Sequence, residues 1–278
     1  MASCGADAFI LVLGWVAIDS PALAHGDLHD KRIAFDREIS AAPDDGSFYP
    51  SCGQIYRQHR DWPDATSDYR RAAERLAEPC VVDYYLARMW LDADRPRPAR
   101  DALDRYLIFK PGDPSALVLR GRALAVLGSP LAAVDDLTVA IEIIDRPPPD
   151  LYLERARILA GAGPSHVDAA LAGLTDAVAR YGPLPTVIDF AIELESGRRD
   201  PAAALVWLDQ APRALQTTPL WLTRRGDLLA PMGEAGAAEA RYRQAVAALD
   251  ALPQRRRTSR AHRRLRDELG ARLAGPCR

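Results

Sequence analysis

Residues 121–140 read GRALAVLGSPLAAVDDLTVA, and their spacing decides the fold. Gly121 stands three residues before Leu124, which sets a small and a large side chain on one helix face. Gly128-Ser129-Pro130 then interrupts the stretch with turn residues. A second helical stripe follows, Ala133, Leu137 and Ala140. Two helices approach to about 8 Å only where their contact side chains are small. The stretch therefore predicts a pair of helices, A and B, closed by a short turn.

The same pattern recurs in both directions. Small residues fall at Gly53, Ala87, Gly121, Ala156, Ala191 and Gly226, in steps of 34, 34, 35, 35 and 35. Three residues after each stands Tyr56, Trp90, Leu124, Leu159, Leu194 or Leu229. A second small series runs Ala65, Ala99, Ala133, Ala170, Ala204 and Ala238. Four residues after each stands Tyr69, Leu103, Leu137, Leu174, Leu208 or Tyr242, and seven after each stands Ala72, Tyr106, Ala140, Ala177, Ala211 or Ala245. The one longer step, 37, places its extra residues in the Gly161–Ser165 turn, where they leave the packed faces unchanged. Helix stops separate the units: Pro79, Pro111-Gly112-Asp113-Pro114, Pro147-Pro148-Pro149, Gly182-Pro183 and Pro219.

Six in-phase copies of a 34-residue helix–turn–helix unit resemble the tetratricopeptide repeat (TPR) family. The third repeat (Gly121, Leu124, Gly128, Ala133, Leu137, Ala140) and the sixth (Gly226, Leu229, Gly233, Ala238, Tyr242, Ala245) match the family pattern most closely. Tyr106 departs from it, standing where a small residue is expected, which predicts shifted packing there. The resemblance implies an all-α, right-handed superhelical solenoid of about six repeats over residues 46–252. Terminal helices would shield its ends. One reads over residues 28–41, with Ile33, Phe35 and Ile39 apolar. The other reads over 257–274, with Leu265, Leu269 and Leu273 in a stripe and Ala261 in line. The expected division is 1–24, 25–45, 46–252 and 253–278.

Residues 1–24 read as a secretory signal peptide. Phe9 to Ile18 is an unbroken apolar run of ten, followed by Ala22-Leu23-Ala24, a small-x-small cleavage pattern. The run is too short to span a bilayer, which takes about 20 residues. Two features depart from the pattern: the residues before the run lack Lys and Arg, and they include Asp7. The expected location is the bacterial periplasm or the exterior, and the cytoplasm if the segment is no signal. After cleavage Cys52, Cys80 and Cys277 remain, and Cys52–Cys80 is the one disulfide considered.

The chain's net charge of −2 hides a division. Residues 254–278 hold nine arginines against Asp267 and Glu268, a net of +7 that leaves −9 for the rest. The basic tail reads as a solvated capping helix, or as a contact for lipid head groups, a polyanion or an acidic protein. Nucleic acid is not expected, because export would remove the chain from it and aromatic interleaving is absent.

No enzyme is expected, and no cofactor. The sequence holds no GxSxG, phosphate-binding loop, dinucleotide-binding turn or HExxH. His25, His29, His59, His166 and His262 are scattered, with His59 and His166 in turns. Acidic residues follow the solvated faces of the helices. One metal alternative arises: cleavage after Ala24 would make His25 the N-terminus, whose amine and imidazole, with His29, suit copper(II). Otherwise no metal is expected.

What the resemblance implies about function is a protein-interaction scaffold that holds peptides along the A helices. The residue after each small A-helix residue should face that groove: Gln54, Arg88, Arg122, Arg157, Ile192 and Asp227. Three successive arginines suggest acidic or C-terminal segments of other proteins as ligands, since guanidinium binds carboxylate bidentately. The alternative is that they pair with neighbouring Asp and Glu. Gln54 and Pro50 do not match the Lys/Asn pattern of the family's carboxylate-clamp members.

Overall fold

The computed structural model describes residues 30, 33–35 and 37–274, which are helices and turns with no strand among them. The chain divides into two compact units, one ending at Tyr106 and the other starting at Leu107. The described positions of 30–41 are helical (α1). Unit 1 continues with α2 (Tyr49–Gln58), α3 (Trp62–Arg75), α4 (Cys80–Asp92) and the greater part of α5 (Pro96–Phe109). Unit 2 contains α6 (Pro114–Val126), α7 (Pro130–Ile143), α8 (Pro149–Ala162), α9 (Val167–Tyr181), α10 (Pro185–Gly197), α11 (Pro201–Asp209), α12 (Arg213–Gln216), α13 (Pro219–Leu229), α14 (Ala235–Asp250), α15 (Gln254–Arg257) and α16 (Arg260–Ala274). Consecutive helices pack as A–B pairs: α2 on α3, α6 on α7, α8 on α9, α10 on α11 and α13 on α14.

Local chemistry sets the helix starts. Proline opens α3, α6 and α11 within their first two positions, where its missing N–H costs no helical hydrogen bond. Asp61, Asp113 and Asp200 cap these helices; Asp113 accepts from the backbone N–H of Ser115 and Ala116 at 2.9 and 3.1 Å. The A–B turns need a left-handed residue. Gly128 (φ 79°) and Gly233 (φ 84°) supply it without strain, whereas Arg60, Asp94 and Arg199 hold φ of 61°, 57° and 61° at the corresponding places.

The small residues of both series are buried, and so are the large B-helix residues from Tyr69 to Tyr242. Of these large A-helix residues, Leu159 is buried; Tyr56, Trp90, Leu124, Leu194 and Leu229 are half-buried at the edge of the packing. Tyr106 is buried after all, tilted against Tyr84 with ring centroids 5.4 Å apart. A ring partner from α4 thus replaces the close helix contact that a small residue would give.

Four expectations need correction. The stripe Ala204, Leu208 and Ala211 predicts a helix that carries all three, but α11 ends at Asp209, because Pro212 disfavours helical geometry in the residue before it. Ala211 is buried all the same, in the bend. Ile192 joins the apolar core of unit 2 and does not face a groove. Ala261 is exposed; the stripe of α16 is Leu265, Leu269 and Leu273, packed against Leu249 and Tyr242 of α14. Asp68, Asp136 and Glu195 are buried despite their charge. Burial of a carboxylate requires a partner: Asp136 accepts a two-pronged contact from Arg120 (2.8 and 2.7 Å), and Asp68 and Glu195 lie 3.6 and 3.8 Å from Arg71 and Arg198.

Candidate binding groove on the A helices

In unit 2, three successive A helices frame a groove of about 500 Å³. Arg122, Ala125 and Val126 come from α6, Asp150, Leu153, Glu154, Arg157 and Ile158 from α8, and Thr186 from α10. Apolar surface between charged groups suits a ligand that has both. Two of the expected arginines, Arg122 and Arg157, therefore share one cavity.

Their environments differ. Arg122 donates to both carboxylate oxygens of Glu154, Nε at 2.8 Å and Nη2 at 2.9 Å. This hydrogen bonding raises the Arg122 guanidinium above its ordinary pKa. Glu154 lies 32 residues after Arg122, and Asp189 lies 32 after Arg157. The second pair does not form, because Asp189 is engaged by Arg224 of α13. Arg157 instead lies over the Phe190 ring, 5.5 Å from its centroid, exposed and with no ion pair among the described residues. Cation–π contact orders a guanidinium while leaving its N–H edge open.

Arg88 and Gln54 belong to unit 1. Arg88 lies over Tyr84, 5.9 Å from the ring centroid. Gln54 accepts from Arg57 Nη2 at 3.4 Å, and Arg57 pairs with Asp92. Beneath them Tyr69 is fully buried, and burial pushes its phenol pKa well up. At the far end of unit 2, Asp227 is taken up by the terminal helix. Arg272 grips it with Nε at 2.7 Å and Nη2 at 3.1 Å, and the Tyr242 hydroxyl donates to it at 2.9 Å.

Sequence reasoning missed Asp150, Glu154 and Phe190. The available signal was an acid about one repeat after an arginine, seen again in Arg57–Asp92. Reading it required knowing which helix faces oppose each other.

His59 ends α2, His166 lies in the 3₁₀ turn Pro164–His166, and His262 of α16 is hydrogen-bonded: its Nδ1 is 2.7 Å from the Arg256 carbonyl and 2.8 Å from Ser259 Oγ. Among the described residues no group of three or more His, Cys, Asp or Glu could hold a metal ion, and no helix is long and apolar enough to cross a membrane. No disulfide joins Cys52 and Cys80. The leader-like segment, His25, His29 and Cys277 lie outside the described residues.

No family model and no curated protein matches the chain. Solved structures do. The C-terminal part of a TPR repeat-containing protein from Cytophaga hutchinsonii superposes with a TM-score of 0.66 at 8% identity, over 83% of this chain and 94% of that one. YrrB, described as a TPR protein with an unusual peptide-binding site, gives 0.54 at 16% identity, over 74% and 95%. A tetratricopeptide repeat protein from Parabacteroides merdae gives 0.52 at 14% identity, over 90% and 94%. The chain has the TPR fold.

Proposed function

We propose that this protein is a non-catalytic scaffold that holds a segment of another protein against its A helices. The observation that carries the proposal is the groove of unit 2, where Arg157 stands beside Leu153 and Ile158 with no carboxylate partner among the described residues. A ligand carboxylate, from an acidic side chain or a chain terminus, would pair with Arg157, while apolar ligand groups cover Val126 and Ile158. Arg122 would join by exchanging Glu154 for a second ligand carboxylate. Arg88 and Gln54 hold the corresponding positions in unit 1, and we include them in its binding face. YrrB's peptide-binding site supports the reading as an instance of what this fold can do. The leader-like residues 1–24 direct the search to exported partners.

The test is cross-linking in the native host, followed by capture and mass spectrometry, on wild type beside an Arg88/Arg122/Arg157→Glu variant. The proposal expects one or a few proteins captured by wild type alone. The same proteins captured by both would remove the groove from the account.

A further inference from the structure

The last turn before α16 and its first two turns read RRRTSRAHRR over residues 255–264: six arginines, one histidine and no acid. All six arginines are exposed. Elsewhere many arginines are engaged with carboxylates, as in Arg120–Asp136, Arg122–Glu154, Arg225–Asp209 and Arg266–Asp250. Here, among the described residues, only Arg264 has such a partner, Glu268 at 2.9 Å; Arg257 reaches a backbone carbonyl, that of Asp250, at 3.3 Å. The dipole of α16 is positive at this end, so it adds to the charge instead of offsetting it. Placing cations there works against the helix, and such a breach of local preference marks a surface kept for something other than stability.

Beside this charge runs a groove of about 670 Å³, lined by Leu220 of α13 and by Arg260, Ala261, His262, Arg264, Leu265 and Glu268 of α16. Leu220 is 48% exposed. The apolar stripe of α16 is spent on α14, with Leu269 fully buried, so the helix has no apolar face left to insert into a bilayer. No Phe, Tyr or Trp lines the groove to stack a base. What remains is a trough with an apolar floor and guanidinium walls.

We propose that this trough is a second docking site, separate from the A-helix groove, for an acidic segment of a partner protein. The segment's carboxylates pair with Arg256, Arg260 and Arg263, and a leucine-sized side chain rests on Leu220. The cap helix thus binds as well as shields.

The probe is a labelled acetyl-Glu-Glu-Leu-Glu-Glu-Leu-Glu-Glu amide, whose blocked terminus offers only side-chain carboxylates. Titrated into the full chain, it should bind in a salt-sensitive way, and its Gln counterpart should not. Arg256→Glu/Arg260→Glu/Arg263→Glu breaks no ion pair among the described residues and should keep the helical circular dichroism, yet weaken binding at least about tenfold. Leu220→Ser should weaken binding while keeping the salt dependence. The titrations are repeated in an Arg157→Gln background, which takes away the guanidinium assigned to the A-helix groove. Binding that survives there and is lost on the charge reversal belongs to the trough; complete loss in the Arg157→Gln background would place the peptide in the A-helix groove and overturn the proposal. So would binding unaffected by the charge reversal, or capture by single-stranded RNA or by vesicles about one-third phosphatidylserine when the peptide is ignored.

Discussion

At the scale of single residues, the A-helix glycines are matched to what the B helix sets against them. A Cβ on Gly53 would lie 2.5 Å from the Tyr69 ring, and one on Gly226 would lie 2.4 Å from the Tyr242 ring. Where the B helix carries leucine, as at Leu103, Leu174 and Leu208, the A helix carries Ala87, Ala156 and Ala191. Gly121 faces Leu137 with more room, its nearest contact being 3.1 Å from the Ala133 carbonyl oxygen. Gly53→Ala and Gly226→Ala should each cost about 1–3 kcal/mol through overpacking. Gly121→Ala should cost less, since its Cβ meets its nearest neighbour only at 3.1 Å and alanine's helix propensity, a gain of about 1 kcal/mol at all three sites, is there not outweighed by a clash. Urea midpoints of the three variants would show that order.

Tyr242 adds a pH dependence. Burial first, then its hydrogen bond to Asp227, pushes its pKa up to about 12, against about 10 in an unfolded chain. The folded state therefore holds the phenolic proton more tightly. That contribution is complete below about pH 10 and is lost as pH rises toward about 12. Tyr242→Phe should have a flatter stability curve across this window in denaturant titrations at successive pH values. Equal slopes would show that the hydroxyl is not protected.

At the scale of elements, the helix pairs were legible because spacing and turn residues agreed: the step of about 34 residues and the Gly–Pro punctuation both point to pairs. The places where the reading slipped have physical causes. Ala211 keeps its buried position although Pro212 ends α11, because a bend can deliver a methyl group that the helix no longer carries. Ile192 follows a small residue as Arg157 does, but its side chain has no reason to stay in water. The buried Asp68 and Asp136 are invisible to a polarity count, because their arginines come from positions the repeat pattern does not mark. The turns also store cost. Left-handed geometry at Arg199 disfavours a residue with a Cβ by about 1–2 kcal/mol. Arg199→Gly should raise stability by up to about 1 kcal/mol after glycine's entropy is counted. Gly233→Ala should lower it by about 1–2 kcal/mol. Thermal unfolding that moved in the same direction for both would refute this reading of the turns.

At the scale of the whole molecule, charge organises what the repeats leave open. Several arginines brace one helix against another, as Arg120, Arg122, Arg224 and Arg272 do, and others, such as Arg157, are left open to a ligand. The register of Arg88, Arg122 and Arg157 was legible in the sequence; their different states were not. Arg122 is held by Glu154, while Arg157 is left over because Arg224 takes Asp189. Only the packing of three successive repeats decides which arginine keeps its carboxylate.

The most direct test of the scaffold account is selection from a random peptide library with free C-termini, run on wild type and on Arg157→Glu in parallel. The account predicts that wild type enriches a class of carboxylate-ended sequences that the variant loses, beside acidic sequences that both retain through the α16 trough. Enrichment of one identical set by both proteins, or none by wild type, would contradict it.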